Sequence, residues 1–269
     1  MSNLLWLADA QMERLKPFFL TSHGRPRVDD RRVPGGLVFI NRNELKWCDA
    51  PREHGPPKTL CNRWKRWGDM GVFARMMEGL ACEGSQAKVV MIDATCLKAH
   101  RTASSLRAKK GGRRQARPPH RKKFEDQETV RGTVSLRTGG LNTRLHAVTD
   151  ADGRPLRFFM TAGHVSDDTG AAALLGSLPA AEWLIADSGH DADWFREALK
   201  DKGICPCIPG RTSRGKGVRH DECRYKRRNR IEIMFGRLKD WRRIATRYDR
   251  RAKTSLSAVA LAATVLFWL

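Results

Sequence analysis

Acidic side chains are scarce in this chain. Against 51 lysines and arginines stand only 29 aspartates and glutamates, a formal net charge of +22 over 269 residues. So large an excess repels itself unless a polyanion neutralises it, and nucleic acid is the expected partner. Long apolar runs are also missing. The longest, LSAVALAATVLFWL at residues 256–269, has 14 residues, too few to cross a bilayer, and reads as a buried helix. The opening MSNLLWLADAQMERL meets acids before an apolar stretch can form, so no secretory leader is expected. The seven cysteines lack the spacing of a disulfide framework, which points to a reduced, cytoplasmic setting. Cys205 and Cys207, with His220 and Cys223 downstream, match no common zinc spacing and are read as packing residues. No internal repeat occurs, which excludes a solenoid.

What is present suits a folded protein. Hydrophobic content of 41% lies near the globular norm, and the length suffices for one large domain or a small one plus a medium one. Residues 1–83 show no strand pattern and read as helices. Asp9 is placed to cap a first helix that Pro17 ends; residues 28–43 form a second. Pro56-Pro57 opens a third, and a fourth runs from about Asp69 to Leu80. Residues 84–269 change character. AKVVMI at 87–92 reads as a buried strand ending on Asp93, and 141–149 with 156–161 as a hairpin around the turn DADGRP. A helix capped by Ser166 or Asp167 follows, to about Leu178, then a strand at 183–186 ending on Asp187. Next come a helix capped by Asp191 and stopped by Gly203, a strand at 204–208, a basic loop at 209–220, and a last long helix. A basic loop at about 101–138 interrupts this order. Its first part, 101–123, holds ten bases and no acid, with Gly111-Gly112 and Pro118-Pro119. The order of elements fits a mixed α/β sheet with helices on both faces, as in the ribonuclease H-like fold, preceded by a small all-α domain.

Two apolar runs that end on an acid are the first chemical signal. Ligands of open α/β sheets sit at the carboxyl ends of strands, so Asp93 and Asp187 would share a crevice. Either could equally be a turn residue or a helix cap. The second signal is RYKRRNRIEIMFGRLK at 224–239, where Glu232 is the one acid among seven bases. At 100° per residue, Tyr225, Arg228, Glu232 and Lys239 fall within an arc of about 60°, with Ile231, Met234, Phe235, Leu238 and Trp241 on the adjoining flank. One face thus sets a carboxylate among groups that grip phosphate: an arginine fork, a lysine and a tyrosine hydroxyl. The plain alternative is an ion pair between Glu232 and an arginine four residues away. Asp93, Asp187 and Glu232, from separate elements, can hold two divalent cations. All-oxygen ligation suits Mg²⁺ or Mn²⁺, and such a pair would activate water or a 3′-hydroxyl against a phosphodiester. Upstream, Arg63, Lys65 and Arg66 interleave with Trp64 and Trp67, which suits either a helix lying on DNA or a basic face over buried tryptophans. His146 reads as structural, Asp150 and Asp152 as turn formers, Asp167 and Asp191 as caps.

Tyr225, Arg228, Glu232 and Lys239 reproduce without a gap the motif Y-x2-R-x3-E-x6-K, and through it the chain resembles the DDE transposases of bacterial insertion sequences, the IS-five group in particular. MIDATCLKAHR around Asp93, GGLNTRLHAVTDADGRPL, ADSGHDADWFREALKDKGICPCIPGR around Asp187 and NRWKRWGDMGVFARM carry the same likeness, which extends over nearly the whole chain. The resemblance implies a catalytic and metal-binding triad of Asp93, Asp187 and Glu232, with Tyr225, Arg228 and Lys239 on transposon-end DNA. It implies a terminal-repeat recognition domain at 1–83 and a catalytic domain at 84–269. The implied reaction is metal-dependent cleavage and strand transfer at terminal inverted repeats, on double-stranded DNA as transposon end and target. The implied assembly is a homodimer in a synaptic complex on the bacterial nucleoid, with no membrane partner. Two departures stand out: His190 replaces the tyrosine of the usual Asp-x-Gly-Tyr-Asp, and segment 111–138 is longer than the usual connector and unlike it. Two alternatives stay open, a catalytically impaired DNA-binding remnant and a ribonuclease H-like nuclease without strand transfer.

Overall fold

In a computed structural model of the chain, residues 6–19, 31–84, 88–100, 103, 142–163, 167–215 and 217–269 are described. Nearly all of the expected basic loop at 101–138, and the cap expected at Ser166, lie outside them. Helices α1 (Asp9–Leu15), α2 (Arg32–Asn43), α3 (Pro57–Asp69) and α4 (Val72–Gly84) come first. Pro57 sits at the first position of α3, where its missing N–H would have had no helical partner. Asp9 is the first helical residue rather than the cap; the cap is Ala8, whose amide donates to Gln11 Oε1.

Strands β1 (Val89–Ala99), β2 (Asn142–Thr149) and β3 (Pro155–Ala162) form an antiparallel meander. The chain then alternates α5 (Asp167–Leu175), β4 (Trp183–Ile185), α6 (Asp193–Asp201) and β5 (Cys205–Cys207). It ends with α7 (Glu222–Tyr225), a 3₁₀ turn at Lys226–Arg228, α8 (Asn229–Lys239), α9 (Arg242–Ala245), β6 (Thr246–Arg247) and α10 (Ala252–Ala263). The strand order is β3-β2-β1-β4-β5, with β6 joined to β1; β4 and β6 run parallel to β1, and β5 parallel to β4. This is the mixed, ribonuclease H-like sheet expected from the order of elements.

Both faces of the sheet are covered. Val90, Ile92, Val148, Leu184 and Ala186 pack with Leu174 of α5 and Phe195 and Leu199 of α6. Met91, Leu97, Leu145 and Ile185 face the other way, into a cluster that holds Met234 of α8, Val259 of α10, and Leu37, Trp64, Trp67 and Met77 of the N-terminal helices. The helices before the sheet and those after it therefore share one continuous core. The apolar run at 256–269 is buried as expected, and it ends in a π turn at Thr264–Trp268. Trp268 donates its Nε1–H to Pro155 O at 3.0 Å, while Arg14 and Gln11 of α1 donate to the carbonyls of Trp268 and Leu269.

Two expectations about elements fail. β1 does not end on Asp93 but continues to Ala99, because β2 pairs with it from Met91 to Lys98. The helix carrying the basic motif is broken by the 3₁₀ turn. Residues three apart eclipse in such a turn, which brings Arg228 over the Tyr225 ring at 5.9 Å. The β2–β3 turn braces the start of α8: Arg230 Nη1 donates to Ala151 O at 2.8 Å and to Asp152 Oδ1 at 2.7 Å. Asp150 Oδ1 accepts from the amides of Asp152 and Arg154, the turn-forming role read for it.

Candidate active site

The sheet forks at Asp93. One edge of β1 is taken by β2 from Met91 to Lys98. On the other edge β4 pairs only as far as Met91↔Ile185, and β6 only at Lys98 and Ala99, so among the described residues no strand covers the interval. A divergence of this kind is where open α/β sheets form a ligand crevice. Asp93 lies two residues past Met91, and Asp187, in extended conformation, two past Ile185. Side chains alternate along a strand. Both carboxylates therefore point to the face of Met91 and Ile185, the face on which α8 packs.

α8 buries Ile231, Met234, Phe235 and Leu238 and leaves Glu232 more exposed, at 53% of its side chain. Arg228 Nη1 donates to Asp93 Oδ2 at 2.9 Å, and its Nη2 pairs with Glu232 Oε1 at 2.7 Å. One guanidinium thus spans a carboxylate of the sheet and a carboxylate of the helix. Lys239 Nζ donates to Thr95 Oγ1 at 2.7 Å, on the same face as Asp93. His190, buried, sets Nδ1 at 2.6 Å from Asp187 Oδ1. Burial pushes the Asp93 carboxyl above its ordinary range, against the pull of the Ala94 amide and of Arg228 and with a contribution from the Asp187 charge. Burial acts upward on Asp187 too, but the His190 contact and the Arg228 charge outweigh it, and that carboxyl lies below its ordinary range. Burial would loosen the proton of Arg228, yet the charge and hydrogen bond of Asp93 prevail and hold it more tightly than in a free arginine.

Asp93, Asp187, Glu232, Arg228 and Lys239 thus meet at one crevice, and Tyr225 joins them through Arg228. The Glu232–Arg228 contact is the ion pair of the plain reading, but the same arginine also reaches Asp93. Arg63, Lys65 and Arg66 lie on α3, which packs against α2, α4 and α10. Trp64 and Trp67 are in the core, Arg63 stacks over Trp67 at 5.5 Å, and Lys65 and Arg66 are exposed, so α3 presents a basic surface of its own. Cys207 is buried with Sγ 3.3 Å from Asp221 O, while Cys205 is exposed. His146 is buried against Thr161, with Nε2 2.9 Å from Oγ1.

Asp191, read from the sequence as the cap of α6, has another place. The cap of α6 is the extended Ala192, not Asp191. The Asp191 side chain, 0% exposed, accepts from Arg196 Nε at 2.8 Å, Arg214 Nε at 2.9 Å and the Arg211 amide at 2.8 Å. Thr95 was missed, because the sequence reading ended its strand at Asp93.

Among the described residues, no three His, Cys, Asp or Glu side chains stand close enough to hold one ion. The donors at the crevice are nonetheless hard carboxylate oxygens, and two of them already close around a cationic group, the Arg228 guanidinium. That donor set fits a divalent cation of the Mg²⁺ or Mn²⁺ kind once the guanidinium moves aside.

Residues 84–267 match the family model described as "Transposase DDE domain", and residues 7–77 the one described as "Putative transposase of IS4/5 family". A Brucella ovis protein described as "Putative transposase for insertion sequence element IS6501" is 36% identical over 130 residues, 48% of this chain and 99% of that protein. A Burkholderia cepacia protein described as "Putative transposase for insertion sequence element IS402" is 32% identical over 135 residues, 46% of this chain and 61% of its own length. The solved Mos1 strand transfer complex aligns over 85% of this chain and 84% of that chain, at 11% identity and a TM-score of 0.26, too low to support an argument from its geometry.

Proposed function

Because the chain belongs to the family of transposase DDE domains, we propose that it is the transposase of an insertion sequence, cutting DNA at the element's terminal inverted repeats and joining the freed ends to target DNA. The observation that carries this reading is the Arg228 guanidinium held between Asp93 and Glu232, beside Asp187, at the fork of the sheet. Carboxylates gathered at a strongly basic surface suit phosphoryl transfer, which depends on positioning and charge neutralisation. Asp93, Asp187 and Glu232 would hold the divalent metal, as two ions of Mg²⁺ or Mn²⁺. Bound there, such ions would supply Lewis acidity to a scissile phosphate and to an attacking hydroxyl or water.

The chain's own residues do the rest. Arg228, released from the carboxylates, offers its fork to a phosphate, Lys239 adds a compact charge beside Thr95, and Tyr225 adds a hydroxyl. Burial of Asp93 keeps water from one side of the crevice, and His190 restrains Asp187. The helices of 1–83, with Arg63, Lys65 and Arg66 on α3, bind the terminal repeat. Two ends have to meet before joining, so the working unit is a homodimer on double-stranded DNA, in the cytoplasm on the nucleoid.

A strand-transfer assay tests the reading. Wild type, Mg²⁺, a duplex bearing the element's terminal repeat and a supercoiled plasmid should yield plasmid joined to duplex. Cut duplex without joined product would assign the nuclease alternative. A duplex shifted but never cut would assign the remnant.

A further inference from the structure

Asp93 and Asp187 are held in place by different means. Asp93 lies inside the β1–β2 ladder, opposite Ala147, so sheet pairing fixes its backbone. Asp187 lies beyond β4, whose pairing with both neighbours ends at Ile185. The last tie, Ala186 N to Cys207 O, is long at 3.4 Å, and a 3₁₀ turn at Ser188–His190 follows directly. His190 in that turn meets Asp187 Oδ1 at 2.6 Å, but the turn that carries this contact lies beyond the paired part of the strand and needs fixing itself.

We propose that Asp191 is a positioning residue for the reaction: buried behind the Asp187 turn, it pins the loop after β5 across that turn and so fixes the direction of the Asp187 carboxylate. The chain of contacts is continuous. The Asp191 amide donates to Ser188 O at 3.1 Å and closes the turn. Its carboxylate fixes the Arg211 backbone through the amide at 2.8 Å. Arg211 then reaches back, donating from Nε to Ser188 O at 3.1 Å and from Nη2 to Gly189 O at 2.5 Å. The carbonyls of the turn are thereby bonded by a residue that Asp191 itself holds. On its other side Asp191 pairs with Arg196 and Arg214; Arg196 Nη2 donates to Ile208 O at 2.8 Å and Arg214 also meets Asp193. A buried carboxylate with three donors is costly to leave half-made, so the clamp engages as a unit.

The proposal rests on the transposase reading, and its test separates the two. Asp191→Asn in the full chain keeps size and one acceptor but removes the charge. Trypsin should then cut after Arg211 and Arg214 about tenfold faster than in wild type, because the loop opens locally. Binding of the terminal-repeat duplex in Ca²⁺ should be unchanged. Nicking at saturating duplex in Mg²⁺ should fall about a hundredfold, the penalty for a misplaced catalytic group. That split between intact binding and lost rate is what a merely structural role would not give. Arg211→Gln removes the bonds to Ser188 and Gly189 while leaving the Asp191 ion pairs, and it should reproduce the loss of rate even where Asp191→Asn fails to fold. Unchanged nicking by Arg211→Gln, or unchanged trypsin sensitivity of Asp191→Asn, overturns the proposal. A wild type that binds duplex and never nicks overturns the transposase reading instead, and the trypsin comparison then still decides whether Asp191 holds the loop.

Discussion

At the residue scale the site turns on Arg228. Its side chain is 19% exposed and that of Asp93 is 13% exposed, so the pair is screened from water far better than a surface ion pair. Removing one member of a buried pair strands the other and costs about 3–5 kcal/mol. Arg228→Gln should therefore lower the stability of the metal-free protein by about 3 kcal/mol. Mn²⁺ should raise the melting temperature of the variant more than that of wild type, since no guanidinium competes for Asp93. Equal Mn²⁺ shifts would show that Asp93 does not bind the ion. His146 supplies a pH dependence of stability. Burial lowers its pKa from 6.5 to about 4, so between those values the unfolded chain binds a proton that the folded chain refuses. Stability is full above pH 6.5 and falls by about 3 kcal/mol on acidification to pH 4. Asp187 and Asp191, both held below the ordinary carboxylate range, add a further loss at lower pH. Urea unfolding at pH 7 and pH 4.5 should show a steeper fall for wild type than for His146→Leu, and parallel falls would remove the assignment. Asp93 and Asp187 were legible because each follows an apolar run. Asp191 was not, because an aspartate before a helix is locally indistinguishable from a cap, and Arg211 and Arg214, which reveal it, come from another loop.

At the element scale the apolar runs marked the buried strands correctly, and helical periodicity placed the core flank of α8. The length of β1 was not legible. Its second half, from Asp93 to Ala99, is largely half-exposed, and it is strand because β2 and, at its end, β6 lie beside it. That same pairing bears on segment 111–138. Lys98 stands opposite Asn142, so the ends that this part of the chain must join are neighbours. Loop length affects stability weakly, by about 0.6 kcal/mol per doubling. Replacing 111–138 with a short Gly-Ser connector should leave soluble yield and the thermal unfolding midpoint unchanged or higher. Loss of soluble protein would show that the segment contributes to the core.

At the scale of the whole molecule, a net charge of +22 is the property composition announced first. With bases on α3, on the 3₁₀ turn and on α8, many phosphates should be neutralised at once. Log affinity for duplex DNA should then fall steeply and linearly with log salt, and a flat plot between low and physiological salt would contradict a nucleic-acid partner. The change of pattern near residue 83 was read as a division of the chain. The core that the helices on either side of it share was not legible, since a sequence shows which faces are apolar but not what covers them. The most direct test of the account is nicking of a duplex bearing the element's terminal repeat in Mg²⁺, by wild type and by Glu232→Gln, with a mobility shift in Ca²⁺ alongside. Glutamine keeps the size and hydrogen-bonding capacity of Glu232 and removes only the charge. Wild type should nick, and the variant should lose orders of magnitude in rate while binding the duplex as well or better. If wild type nicks and Glu232→Gln nicks as fast, Glu232 is only the ion-pair partner of Arg228, worth under about 1 kcal/mol, and the account is contradicted.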